Sequence, residues 1–203
     1  MDNYIMINGQ KISLTNKQIK EIQKSFKIGN TVLKSVAVGD TFKIGDYEFV
    51  VLEHSKETTA VILKNLLHDS EEFGENNNYD SSNVDKLCQS FGKEISNIIG
   101  ANNLIEHTVD LTSGDGIKDY GTIKRCMSLM TAELYRRYVY VLDKHKISSW
   151  WWLSTAFSTP THNDKSWILC VSPIGYVNYG SYDYGSGVRP FCILNSNIFV
   201  SNK

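Results

Sequence analysis

Residues 150 to 157 read Trp-Trp-Trp-Leu-Ser-Thr-Ala-Phe, and few arrangements can hold three consecutive tryptophans. In a strand, successive side chains point to opposite faces of the sheet, so the three rings cannot share one core. The run predicts a strand covered on both sides, with Trp151 toward one side and Trp150 and Trp152 toward the other. The segments that follow, "SWILCVSP", "GYVNY", "RPFCIL" and "NIFVS", are also aromatic or β-branched. From Ser149 onward the chain is therefore read as sheet.

The earlier chain mixes both kinds of element. "TFKIGDYEFVVLEHSKETTAVILKNL" carries apolar pairs at Phe42/Ile44, Phe49/Val51 and Ala60/Ile62, with Gly45-Asp46 and Ser55 to Glu57 as turns, which predicts a three-stranded meander. Between 80 and 99, Val84, Leu87 and Phe91 recur at helical spacing. Ser82 is placed to cap, and Gly92 and Gly100 are expected to split the run into two short helices. "LIEHTVDL" is read as one strand, and "TAELYRRYVYVLDKH" as a helix capped by Thr131. At the start, two apolar runs flank Asn8-Gly9, a pair suited to a tight hairpin turn. Thr15 and Gln18 then stand at capping-box spacing before a helix whose apolar side is Ile19, Ile22 and Phe26. Residues 27 to 38 read as a connector. The expected organisation is an N-terminal hairpin, helix and connector over 1–38 and an α+β domain over 39–203.

The 203 residues carry a net charge of -1 and are 41% hydrophobic. A near-neutral chain has no bulk field to attract nucleic acid or an anionic membrane, so neither is an expected partner. No stretch of about 18 apolar residues or signal-like apolar run is present, and a cytosolic protein is expected. Residues 68 to 85 hold Asp69, Glu71, Glu72, Glu75, Asp80 and Asp85 with no Lys or Arg, a candidate acidic face.

Catalytic and metal signals are sparse. Cys88, Cys126, Cys170 and Cys192 form no CxxC pair, and no histidine stands at zinc-ligand spacing. Cys170 and Cys192 lie in apolar runs without a His or Lys neighbour to activate them. "SGDGIKDYG" lacks the GK[ST] of a phosphate loop, and Asp110, Asp115 and Asp119 suit a hydrogen-bonded turn better than a calcium loop. Neither a cofactor nor a metal is expected.

The remaining feature is a surface. Residues 175 to 184, "GYVNYGSYDY", concentrate tyrosines among Gly, Asn, Ser and Asp. Such a mixture makes a poor core and a good contact area, because Tyr brings large rigid surface at low entropic cost. Tyr176, Asn178, Tyr179, Tyr182, Asp183 and Tyr184 are the candidate partner contacts. His162, Asn163 and Asp164 are expected to join them from a neighbouring loop at the same end. Gly187, Arg189 and Trp151 are candidate structural residues, Gly187 for a backbone angle other residues avoid and Arg189 as a buried hydrogen-bonding bolt.

The order of a tryptophan-rich strand, a variable loop and a closing Gly187-Val188-Arg189 resembles the formylglycine-generating-enzyme branch of the C-type lectin fold. The chain also resembles, over most of residues 39 to 201, a family of bacterial and phage proteins (DUF6273-like) through "FKIGDYEFVVLE", "NNNYDSS", "HTVDLTSGDG", "WWWLST" and "GVRPFCIL". The first resemblance implies a lectin-like α+β scaffold, without implying the copper-dependent cysteine chemistry of the enzymes. The second implies a phage or prophage accessory protein without enzymatic activity, whose partner is a host or bacterial defence protein such as a CRISPR effector. A glycan-binding or adhesion module on the same scaffold is the alternative.

Overall fold

The computed structural model describes residues 4–7, 10–25 and 29–201. Strands β1 (Tyr4–Ile7) and β2 (Gln10–Ser13) pair antiparallel, with Ile7 opposite Gln10. The connecting Asn8-Gly9, like Phe26 of the expected apolar helix face, lies outside the described residues. Helix α1 (Asn16–Ser25) starts at a reciprocal cap: Thr15 N donates to Gln18 Oε1 at 2.9 Å and Gln18 N to Thr15 Oγ1 at 3.3 Å.

The main body contains β3 (Thr31–Val32), β4 (Thr41–Ile44), β5 (Tyr47–His54), β6 (Thr58–Leu63), β7 (His68–Glu72), α2 (Asn83–Ile99), β8 (Leu104–Ile105), β9 (His107–Asp110), β10 (Thr122–Arg125) and β11 (Met127–Ser128). It continues with α3 (Ala132–Leu142), β12 (Trp151–Ala156), β13 (Trp167–Val171), β14 (Val177–Ser181), β15 (Gly185–Val188), β16 (Phe191–Asn195) and β17 (Phe199–Val200). This is a mixed α+β architecture dominated by two sheets. One runs β11-β16-β6-β5-β4 with β8 also on β16, and the other runs β14-β13-β12-β15-β7. Among the described residues, no helix is long and apolar enough to cross a membrane.

The β4-β5-β6 meander forms as its alternation predicts, with Gly45 at φ +59° in the first turn and Ser55 N bonded to Thr58 O at 2.8 Å across the second. The continuous apolar runs follow from burial of both faces. Phe49, Val51, Val61, Cys170, Cys192 and Trp152 enter one core with α2, whereas Val50, Leu52, Ile62, Val171, Phe191 and Trp151 enter a second with α3. Trp151 and Trp152 are buried on opposite faces. Trp150 departs from expectation: it precedes the first residue of β12 and is 43% exposed, so the strand's two-sided cover does not extend to it.

Two other expectations are corrected. Helix α2 runs unbroken through Gly92, where a side chain would meet Met127 Cβ at 3.1 Å; the glycine serves close packing and leaves the helix intact. Its Ser82 cap accepts from Asp85 N, and Thr131 caps α3 by accepting from Leu134 N. "LIEHTVDL" is two strands, β8 bonded to β16 and β9 bonded to β10.

The sheets are joined where two chains bend together. β6 leads into β7 through residues 64–67 while β15 leads into β16 through Arg189 and Pro190, so one antiparallel pair passes from sheet to sheet. At the bend Leu67 N bonds Val188 O and Leu63 N bonds Pro190 O, both at 2.8 Å. A strand that changes sheets in this way turns its ladder at a corner, and the corner's carbonyls need other donors.

Candidate functional site

Arg189 supplies those donors. It is 1% exposed; its Nε donates to Leu63 O at 2.9 Å and its Nη2 to Lys64 O at 3.0 Å and His145 O at 3.2 Å. Its guanidinium lies 5.3 Å from the Trp151 ring centroid, and burial lowers its pKa to about 10. Gly187 differs from its expected reason. Its φ is not positive; a Cβ there would lie 2.5 Å from Leu66 Cδ1 and 2.9 Å from Trp150 O, where β15 runs parallel beside β12. The glycine permits close approach of two backbones.

The candidate surface is built on β13 and β14 and on the connection before them. Residues 157–166 are tied down at many points. Phe157 N bonds Trp167 O at 2.8 Å, and Asn163 takes a left-handed φ of +58°. Asp164 Oδ1 accepts from Ser166 N at 2.8 Å and Trp167 N at 3.2 Å. From the 113–121 loop, Asp119 accepts from Thr159 Oγ1 at 2.7 Å and Thr161 N at 3.2 Å. Asp115 accepts from Ser158 Oγ at 2.6 Å and pairs with His162 Nδ1 at 2.8 Å. Hydroxyls of Ser113 and Ser158, then His162, hold the Asp115 carboxyl far below the usual carboxylate range, and Thr159 and Thr161 hold Asp119 below it.

Asn77 joins this connection to two others. Fully buried, it donates from Nδ2 to Ser158 O at 3.1 Å and Trp167 O at 3.3 Å and accepts at Oδ1 from Tyr120 OH at 2.6 Å. Its backbone N bonds Lys165 O at 3.0 Å. No sequence signal beyond the run of asparagines marks this residue as the hub.

The tyrosine segment begins as a strand, as the sheet reading of "GYVNY" expects, and ends in a turn. Val177–Ser181 pair along β13, and the turn that follows is closed by Tyr184 N on Ser181 O at 3.0 Å. Strand geometry divides the candidates. Tyr179, opposite Leu169, rises on one face, and Asn178, opposite Cys170, on the other. Tyr176, Asp183 and Tyr184 are exposed, but Tyr182 is half-buried against the α2-side core. Asp164 spends Oδ1 on its own turn, His162 is bound to Asp115, and Asn163 is exposed. The nine candidates thus form no single patch.

A different cluster does form. Tyr179 stands 4.9 Å from Phe157 and 5.5 Å from Trp167 between ring centroids, and the three are 51%, 42% and 40% exposed. Phe157 and Trp167 fall in segments that the sequence marks only as strands. They sit where β12 ends and β13 begins, beyond the cover of α3, and only the register brings them to Tyr179.

The acidic run is dispersed. Asp85 is buried and, with Asp80, salt-bridges Arg125 at 2.7 and 2.6 Å; Glu71 and Glu72 lie on β7, and Glu71 O accepts from Trp152 Nε1 at 2.8 Å. Cys170 and Cys192 lie on strands of different sheets; burial pushes the Cys170 thiol up to about 11 and raises that of Cys192. Among the described residues no group of His, Cys, Asp and Glu is arranged to hold a metal ion. Compared with protein-family models, with the curated proteins and with the solved structures, the chain matches none.

Proposed function

We propose that this protein is a binding protein without enzymatic activity, carried on a C-type-lectin-like scaffold, and that the Phe157, Trp167 and Tyr179 face is its recognition surface. The observation that carries this reading is the contact of Tyr179 with both Phe157 and Trp167, three half-exposed rings on a backbone braced by Asn77, Asp115 and Asp119. Grouped exposed aromatics on a soluble surface mark interaction sites, and rings already ordered in the free protein lose little entropy on binding. Two sheets flanked by helices, with Gly187-Val188-Arg189 at the corner between them, agree with the lectin-like scaffold. The buried thiols, with pKa values raised by burial, favour packing over catalysis.

The function within this class is that of a phage or prophage accessory protein acting in the host cytosol on a host or defence protein, a CRISPR effector being the foremost candidate. Capture from host lysate with wild-type protein and with the Phe157→Ala/Trp167→Ala/Tyr179→Ala variant tests it. A defence protein retained by the first and lost by the second is the expected result. Binding on a glycan array that depends on the same rings, with no protein partner, would replace it with the glycan-binding reading.

A further inference from the structure

The second sheet ends in two edges of opposite character. β7, at one end, reads His-Asp-Ser-Glu-Glu, the charged sequence that keeps an exposed edge from pairing with another chain. β14, at the other, reads Val-Asn-Tyr-Gly-Ser and carries neither charge nor proline. In an antiparallel ladder alternate residues turn their backbone groups toward the same neighbour. Ser172 N bonds Tyr176 O at one end of β14 and Tyr182 N bonds Ser166 O at the other, both at 2.9 Å. With the register between them, Asn178 and Gly180 therefore turn their N–H and C=O groups toward β13. Val177, Tyr179 and Ser181 turn theirs outward. The bonds found on that outward side are local: Asn178 Oδ1 accepts from Tyr179 N at 2.9 Å, and Ser181 O accepts from Tyr184 N.

We propose that this edge pairs with itself: two copies of the chain join β14 to β14, antiparallel, about a two-fold axis at Tyr179. In that register Tyr179 faces Tyr179 of the second copy, and Val177 faces Ser181, each pair exchanging the outward backbone groups once Asn178 Oδ1 releases Tyr179 N. The strand's composition selects the second copy as occupant. A two-fold axis sets each residue against an equivalent or symmetric one, so a charge near its centre would meet its like; β14 carries none. A charged strand from another protein would find no counter-charge on β14. The axis stands perpendicular to the sheet, so the Phe157, Trp167 and Tyr179 rings of both copies meet on one face and the recognition surface is doubled.

Sedimentation velocity of the purified chain over a concentration series tests the assembly, with backbone amide exchange by NMR alongside. The expected result is a concentration-dependent dimer in which the Val177, Tyr179 and Ser181 amides become protected. Val177→Pro removes an outward N–H that β13 does not use, and should weaken the dimer about tenfold or more. Asn178→Ala frees the Tyr179 N–H and should tighten it several-fold. If Val177→Pro fails to fold, Tyr179→Lys sets like charges at the axis and should abolish the dimer. A chain monomeric at every concentration overturns the proposal. So does a dimer that leaves those amides unprotected, or protection that arises only when a different protein is added. Because the readout is the mass of the chain alone, a negative result leaves partner binding by the aromatic face standing.

Discussion

Arg189 lies over the Trp151 ring at 5.3 Å while its guanidinium holds the Leu63 and Lys64 carbonyls, so one side chain fastens the bend of β6 to the start of β12. Arg189→Ala removes those donors and leaves buried carbonyls unpaired. It should cost about 2 to 4 kcal/mol of stability in denaturant melts. Arg189→Lys should recover only part of this, since an ammonium lacks the planar fork. An unchanged midpoint in Arg189→Ala would disprove the bolt.

Asn77 is the second fastening. Asn77→Ala should destabilise by about 2 to 3 kcal/mol, because the Ser158 carbonyl and the Tyr120 hydroxyl lose their partner and the Trp167 carbonyl keeps only Phe157 N. Asn77→Asp should be worse, since it faces two carbonyls with an oxygen. Thermal melts and proteolysis within 157–166 report both effects.

The aromatic face separates from the fold. Phe157→Ala, Trp167→Ala and Tyr179→Ala remove half-exposed rings, and the triple variant should keep its cooperative melt. Its affinity for the captured partner should fall by roughly 2 kcal/mol or more. Substituting Tyr182 should instead lower stability, because that ring packs on the core.

Acid should act on the fold through His107, whose Nε2 meets Ser128 Oγ at 2.9 Å. Burial lowers its pKa to about 4. An unfolded histidine titrates near pH ~6.5, so the unfolded chain takes up a proton that the folded chain refuses. The contribution of neutral His107 is complete above pH ~6.5 and is lost as pH falls toward about 4, amounting to about 2 kcal/mol at pH ~5. His107→Gln should flatten the dependence of melting temperature on pH between ~7 and ~5. An unchanged slope would assign the effect elsewhere.

Asp115 acts lower on the scale. Its carboxyl is depressed by the Ser113 and Ser158 hydroxyls and by His162, so its contribution is present above the ordinary carboxylate range and lost as pH falls below about 4. Asp115→Asn should reduce the acid loss of stability in that window. It should also speed hydrogen exchange in residues 157–166 at neutral pH.

The elements legible in the chain are those whose cause is local. The caps at Thr15, Ser82 and Thr131 bond within three residues, and the β4-β5-β6 meander follows from short turns and nearby apolar alternation. Gly92 illustrates the opposite case. As a local signal it reads as a helix break, and only the approach of Met127 from outside the helix explains it. The sequence His-Asp-Ser-Glu-Glu has no strand propensity worth reading, yet it is β7 because β15 offers it a ladder.

The sequence by itself determined that tryptophans 151 and 152 must face two cores, that the chain mixes helix and sheet, and where its helices begin. Side-chain parity and capping chemistry act over a few residues and need no fold to express them. Tertiary structure alone decided that Phe157, Trp167 and Tyr179 meet, that Tyr182 turns inward, and that the acidic run is split by Arg125. The ring cluster and the inward turn of Tyr182 depend on the register of β13 against β14 and on where α3 stops covering the sheet, and the split acidic run depends on Arg125 of β10 reaching the first turn of α2. All three are set by packing between segments far apart in the chain, whose energy no short window of sequence contains.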